Sequence, residues 1–325
     1  MKKINETTKK VLQIFSDGQY HDGTSIGNEL SISRAAVWKH IKQLESLGIE
    51  FISTKGKGYC LKNPITLLNK DTISSSVVNI FPNLKLMLSD QIDSTNQYLK
   101  DLKDNSDFDL CITEKQTKGR GRFDRTWHSP FGQNIYLSLR YQTLQDISKL
   151  SGLSLVVAIA IINMLQKLDI IAEIKWPNDI LYQSKKLAGI LIEVTAQPNT
   201  QTNIIIGIGL NVNMLNDNQK IDSSWASLAQ IQDKQFDRNA LISSLCKELS
   251  IVINEFENSG LKSYLDIYQK HHFLTNKKIS FQAGKMQYEG EVLGVTEQGY
   301  LKVQLIDGSI KKFSSGEVTI DKKFS

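Results

Sequence analysis

Residues 113–136 read TEKQTKGRGRFDRTWHSPFGQNIY, and Lys115, Lys118, Arg120, Arg122 and Arg125 crowd there around Gly119 and Gly121. Glycine lets the backbone bend and expose its N–H groups, while guanidinium forks match phosphate or carboxylate oxygens two at a time. The flanks place the stretch in a fold. Residues 109–113 read as a short strand, and residues 134–140 alternate apolar and polar as a second one. A basic loop therefore leaves one strand and re-enters another, which is how a scaffold presents a binding loop. Two other readings compete on this stretch alone: a solvated arginine-rich loop, and an RNA-binding segment of the RGG type.

Upstream, residues 4–15 place Ile4, Val11, Leu12 and Phe15 on one helical side, and a turn follows at Ser16-Asp17-Gly18. Residues 24–30 form a short second helix. Ser33 is then the N-cap of a third, whose Val37, Ile41, Leu44 and Leu47 face inward and which stops at Gly48. A hairpin at residues 50–61 carries the basic glycine turn Thr54-Lys55-Gly56-Lys57-Gly58. This is a winged helix-turn-helix in outline. The outward side of its third helix bears Arg34, Trp38, Lys39 and Lys42, and with Lys55 and Lys57 these suit phosphate and base-edge contacts.

Charge supports that placement. The net charge of the 325 residues is +5, and residues 1–63 hold ten Lys/Arg against six Asp/Glu, while the remaining 262 hold 29 against 28. An extended polyanion is thus expected at the front of the chain. Lys62-Asn63-Pro64 marks a boundary, giving expected units at 1–63, 64–275 and 276–325. A chain 40% hydrophobic can bury a sizeable core. Its three separated cysteines at 60, 111 and 246 indicate neither a disulfide framework nor a structural metal. No signal peptide is read at the start, and the apolar run 153–165, interrupted by Ser154 and Asn163, is read as a buried helix too short to span a bilayer.

Downstream, residues 71–79 read as a helix, 84–88 as a strand, and Ser94 with Gln97 has capping-box spacing. Residues 147–168 read as a buried helix, 180–182 and 187–194 as a hairpin, and 203–213 as a strand. Gly189, Gly207 and Gly209 fall inside strands and hint at a cavity over the sheet. GIGLNV is not a dinucleotide fingerprint, since Val212 stands at its third glycine position, and a Walker-type phosphate loop is missing. Residues 239–257 and 261–269 are helical, and His271-His272 is read as packing or surface. From Lys278 short strands alternate with turns at 283–284, 297–299 and 307–308, a small barrel expected to dock on the middle of the chain.

DSTN at 93–96, the GRGR loop with Trp127 and SPFG, KWPND at 175–179, KLAGIL at 186–191 and GIGLNVN at 207–213 resemble, in order, the biotin–protein ligases. With a winged helix before and a small barrel after, the whole chain resembles the bifunctional ligase/repressor form. The resemblance implies an α+β fold: an N-terminal winged helix-turn-helix, a central mixed α/β domain related to class II synthetase folds, and a C-terminal SH3-like barrel. It implies that biotin and ATP, with Mg²⁺, give biotinyl-5′-AMP, and that the acyl group passes to one lysine of the biotin carboxyl carrier protein of acetyl-CoA carboxylase. It further implies operator DNA as partner, a homodimer when the adenylate is bound, and a cytoplasmic location without membrane contact.

Residue by residue, the resemblance assigns the biotin head group to Ser94, Thr95 and Gln116, with Gly119 and Gly189 closing on it. Arg120 and Arg122 would hold the carboxylate and adenylate phosphate, Arg125 the leaving phosphates, and Lys186 would bridge carboxylate and α-phosphate. Asn178 and Asn211 fall among its ATP contacts. Asp179 falls there as a metal contact or as acceptor of a proton from the incoming lysine, and Trp127 and Trp225 would pack on the adenylate. One position departs: Asp124 stands where the family commonly has glycine, and is expected to pair with an arginine or turn outward. The loop 214–225 would order on ligand binding. Two other functions remain open, a non-catalytic ligand-sensing repressor and a lipoate or octanoate transferase on the related fold.

Overall fold

A computed structural model describes residues 4–81, 83–103, 106–195, 202–215, 224–283, 286–314 and 316–320. Three helices open the chain, each started by a side chain that accepts an otherwise unpaired N–H: Asn5 for α1 (Glu6–Ile14), Asp22 for α2 (Gly23–Leu30) and Ser33 for α3 (Arg34–Ser46). β1 (Phe51–Thr54) and β2 (Gly58–Leu61) pair antiparallel as the wing. Val11, Leu12, Phe15, Ile26, Val37, Ile41 and Leu44 form one buried cluster, and Ile65 and Phe131 from further along the chain complete it.

The front unit is therefore seated on the middle one. Asp90 accepts the N–H of Ile4 at 2.8 Å and pairs with Lys9 at 3.0 Å, while Lys115 donates from Nζ to the Leu47 carbonyl at 3.0 Å, just past the end of α3. Burial pushes the Lys115 ammonium below its ordinary pKa.

The middle part contains α4 (Lys70–Val77), β3 (Lys85–Ser89), α5 (Thr95–Asp101), β4 (Phe108–Thr113), β5 (Ile135–Thr143), α6 (Leu153–Gln166), β6 (Glu173–Lys175), β7 (Asp179–Tyr182), β8 (Lys185–Thr195), β9 (Thr202–Leu210), α7 (Leu228–Gln232), α8 (Arg238–Ser259) and α9 (Leu265–His271). Its seven strands run in the order β3-β4-β5-β9-β8-β7-β6, antiparallel except for β3 with β4. The long central strands are Ile- and Leu-rich because both sheet faces are covered.

α6 shows why helix and span differ. The longer span from Ile147 to Gln166, 20 residues, is long and apolar enough to cross a membrane by length and composition only. The run is nevertheless broken at Gly152, whose φ is 88°, and eleven of the fourteen α6 residues are buried against protein. Its covering is α8 and the sheet, so it packs as a core helix.

The C-terminal strands β10 (Lys278–Ala283), β11 (Met286–Val295), β12 (Leu301–Leu305), β13 (Ile310–Phe313) and β14 (Glu317–Ile320) form one antiparallel sheet in the order β13-β12-β11-β10-β14. Ile279, Phe281, Val292, Leu301 and Val303 join the same buried cluster as α6 and α8. The Trp176 indole donates to the Gly299 carbonyl at 3.0 Å and Ser151 to that of Gln298 at 2.5 Å. Docking on the middle part is thus a shared core. The expected turn at 307–308 is present, with Gly308 at φ 81°, whereas Gly284 lies outside the described residues. His272 is buried, its ring tilted against Tyr268 with centroids 4.9 Å apart, so of the packing and surface alternatives it takes the packing one.

Candidate active site and nucleic-acid face

Two loops close over one end of the sheet, and their backbones bind each other directly. Thr117 N–H donates to the Ile92 carbonyl at 2.9 Å and Lys118 N–H to that of Asp93 at 2.8 Å. Asp93 adds side-chain bonds to Thr117 and Lys118, and these hold its carboxyl below the usual range. Within this frame Ser94 and Thr95 are 4% exposed. Gln116 Oε1 accepts both the N–H of Thr95 (2.9 Å) and its hydroxyl (3.1 Å). The Gln116 amide then donates to Ser129 at 3.3 Å, and Ser138, fully buried on β5, donates to Thr95 at 2.7 Å. The result is a small polar cradle under a low-dielectric roof. Such an arrangement suits a compact head group rich in hydrogen-bonding atoms.

Beyond Gly119 the basic stretch is a tight hairpin. Trp127 N–H donates to Gly119 at 2.9 Å and Gly121 N–H to Arg125 at 2.7 Å, with Arg120 opposite Thr126. Phe123 and Asp124 form its tip at φ 55° and 56°, left-handed values that suit glycine and that aspartate tolerates better than most. Asp124 is exposed, so the outward alternative is the one adopted. Arg120 Nη2 donates to Gln97 (3.1 Å) and to Glu193 (3.3 Å). Arg122 Nη1 reaches Asn178 at 3.4 Å, and its guanidinium lies over the Phe123 ring at 4.8 Å. Arg125 is exposed.

Lys186 sits where the two halves meet. Its Nζ is 2.8 Å from Asp179 and 5.3 Å from the centre of the Trp127 ring. Trp127 lies over the paired glycines 189 and 209 of β8 and β9: a Cβ on Gly209 would come within 2.6 Å of the ring, and one on Gly189 within 3.0 Å. Gly207 makes room for Asn96 in the same way, the Asn96 amide carbon lying 2.9 Å from where a Cβ would be. These strand glycines therefore admit a side chain each, where the sequence hinted at an open cavity over the sheet. Asn178 follows the cis Trp176–Pro177 peptide and donates to the Ile190 carbonyl at 2.8 Å.

The strand expected over 203–213 stops short of Asn211. β9 ends at Leu210, and Asn211 donates to the carbonyls of Lys186 (3.3 Å) and Ala226 (3.1 Å). It braces the backbone on either side of Lys186 and Trp225, which are themselves bridged in parallel. Most of the expected ordering loop, residues 216–223, lies outside the described residues.

On the front unit Arg34, Trp38, Lys39, Lys42, Lys55 and Lys57 are all exposed, as a groove-reading face requires. Arg34, Trp38 and Tyr59 line a groove of about 510 Å³ between α3 and the wing. Lys42 pairs with Glu45 at 2.7 Å and lies over Trp38 at 5.7 Å, and Lys57 lies over Tyr20 at 5.8 Å.

The bifunctional ligase/repressor BirA of Escherichia coli K12 is 36% identical over 98% of this chain and 98% of its own length. The chain belongs to the biotin protein ligase family. The Bacillus spizizenii bifunctional ligase/repressor BirA is 29% identical over 96% and 98%. The biotin/lipoate A/B protein ligase family matches residues 88–211, an HTH domain residues 7–60, and the biotin protein ligase C-terminal domain residues 276–320. The Aquifex aeolicus biotin protein ligase, solved with biotin and ATP, superposes with a TM-score of 0.63 at 26% identity, covering 72% of this chain and 97% of that one.

Four residues that the structure brings to this candidate site were not assigned from sequence. Ser138 was legible as a lone hydroxyl in an apolar strand. Asn96 belonged to the quoted DSTN word without a role. Gln97 was taken as a capping residue: Ser94 does cap α5, but Gln97's amide donates to Asp101 and its oxygen accepts from Arg120. Glu193 carried no signal, since an acid at a strand end reads as a solvated position.

Proposed function

We propose that the chain is a bifunctional biotin–protein ligase and transcriptional repressor of biotin-synthesis genes. The observation that carries the ligase half is one arrangement: Lys186, paired with Asp179, lies beside the Trp127 ring, and the loop that brings Trp127, Arg120 and Arg122 also supplies Gln116 to the polar cradle of Thr95 and Ser138. A carboxylate is a poor acyl donor until an oxygen of it attacks the α-phosphorus of ATP and the bond to the β-phosphate breaks. Two anions must meet for this, so their charge has to be neutralised in place.

The cradle fixes the biotin head group, with Gly119 and Gly189 keeping the backbone close. The acid is then directed at Lys186, which bridges carboxylate and α-phosphate and is released for this from Asp179. Arg120 and Arg122 stabilise charge developing on the phosphate oxygens, and Arg125 guides pyrophosphate out. Trp127 and Trp225 cover the adenylate, while Asn178 and Asn211 hold the nucleotide side in shape. In the second half the carrier lysine attacks the acyl carbon, AMP leaves, and Asp179 is placed to take the ammonium proton.

Among the described residues no group of three or more His, Cys, Asp or Glu side chains stands together. Mg²⁺ is commonly bound through one or two carboxylates plus substrate phosphates, so a lone carboxylate fits it, and Asp179 would hold it. Bound there it would supply neutralisation of the leaving phosphates. The carrier is the biotin carboxyl carrier protein of acetyl-CoA carboxylase. The exposed α3–wing face reads operator DNA as a homodimer formed with adenylate bound, and these partners place the protein in the cytoplasm.

The test is pyrophosphate release by the purified chain with ATP and Mg²⁺, comparing biotin, lipoate and octanoate, then adding apo carrier. Biotin-dependent release followed by carrier labelling is expected. No release with any acid would leave a ligand-sensing repressor, and release with lipoate or octanoate alone a transferase of that acid. Gel shift on the biotin-operon operator should strengthen on adding biotin plus ATP; an unchanged shift removes the co-repressor role.

A further inference from the structure

Glu193, near the end of β8, is a carboxylate standing next to a loop built to bind anions. Its Oε2 accepts from Arg120 Nη2 at 3.3 Å and from the Asn96 amide at 3.0 Å, and its Oε1 faces Lys100 at 3.4 Å. The Lys100 contact alone would be a half-exposed ion pair of small worth. The other two bonds have a different character. Asn96 is 4% exposed, donates also to the Leu191 carbonyl at 3.2 Å, and its Oδ1 lies 2.5 Å from the Ser138 hydroxyl oxygen, which is also 2.7 Å from the Thr95 hydroxyl of the cradle, so the single Ser138 proton is shared between these two neighbours.

Arg120 is held at Nη2 by Gln97 and Glu193 together, whereas its Nε–H is buried and has no hydrogen-bond partner among the described residues. A buried guanidinium N–H without an acceptor is costly, and an incoming ligand oxygen removes that cost. The side chain is therefore anchored at one nitrogen with another left for the ligand.

Resting on the ligase reading, we propose that Glu193 is a positioning residue: it sets the aim of Arg120 toward the acyl-phosphate anion and ties that aim to the head-group cradle through Asn96. The carboxylate acts by reach as well as charge, because one oxygen must meet Arg120 and Asn96 at once. Shortening it by one methylene, about 1.5 Å, breaks both contacts while keeping the charge. Replacing it by the isosteric amide keeps one acceptor oxygen in place.

The experiment measures dissociation of preformed biotinyl-5′-AMP from the full chain, with KM for biotin and kcat alongside. Glu193→Ala and Glu193→Asp should both release the adenylate about tenfold faster, the factor expected for one charge-assisted bond, and Glu193→Gln should stay within about threefold. In an Arg120→Ala background, Glu193→Asp should add nothing further. Wild-type retention in Glu193→Asp, or an equal additional loss in the Arg120→Ala background, overturns the assignment. Should Glu193→Ala fail to fold, the Asp and Gln pair decides alone. If the unaltered chain forms no adenylate, the ligase reading itself has failed, a result visible before any variant is made.

Discussion

Gly209→Ala tests whether Trp127 must lie flat on the sheet. The added Cβ would stand 2.6 Å from both Cζ2 and Nε1 of Trp127, where ordinary contact begins at 3.4 Å, so the ring has to lift by about 1 Å. Overpacking a core usually costs about 1–3 kcal/mol. Here the obstructing ring is half-buried on a loop that can yield, so the loss should fall on activity. Lifting Trp127 also removes the ring from above Lys186 and opens the covered side of the adenylate. A displacement of that size next to reacting groups costs on the order of 100-fold in rate. Biotin-dependent ATP–pyrophosphate exchange should therefore drop about 100-fold in Gly209→Ala, with little change in thermal midpoint. Gly189→Ala, whose Cβ meets the ring at 3.0 Å, needs only a few tenths of an ångström and should lose about threefold. In a Trp127→Ala background the Gly209→Ala penalty should vanish. Exchange at the wild-type rate in Gly209→Ala, or an undiminished penalty without the ring, would refute the reasoning.

Glu114 and Arg238 pair at 2.7 Å with both side chains nearly inaccessible, and Glu114 also accepts the Leu68 N–H at 2.6 Å; Glu114→Ala strands a buried guanidinium and should lower unfolding free energy in urea by about 3 kcal/mol or more. Burial, with Lys277 nearby, pushes His272 down to about 4 from its ordinary 6.5, so the unfolded chain takes up the proton first as the pH falls. Its contribution is intact above about pH 6.5 and wanes toward pH 4, by about 3 kcal/mol in total, and His272→Gln should flatten the acid limb of stability measured by urea midpoint. Lys55→Ala with Lys57→Ala removes two wing cations, so operator affinity should weaken on all sequences alike and the salt slope of binding should shrink by about two; an unchanged slope would place the wing off the phosphates.

Local rules reached far into this fold because its elements obey them one at a time. Ser33 caps α3 with the bond its position foretells, the hairpin read about residues 183–186 turns at 183–184 between β7 and β8, and eleven of the fourteen residues of α6 are buried. The basic loop could be located, since cations flanked by two strands have few other uses. What stayed hidden depends on partners distant in sequence. Gly209 looks the same whether it opens a cavity or receives a tryptophan 82 positions away, and only the hairpin's fold back onto β9 decides which.

Gln97 carries that argument furthest. Its spacing from Ser94 satisfies the capping rule, and the Ser94 half of the rule is obeyed. Its own side chain had a second suitor, since Arg120 approaches from 23 residues away with a charge, and a charge-assisted bond outcompetes a neutral one to the local backbone. A local signal is therefore overridden where a charged group from elsewhere in the chain needs the same atoms. Charged groups of that kind gather where a ligand is bound. The half-kept cap at Ser94 thus marks the site, and it does so through the bond Gln97 makes in place of the expected one.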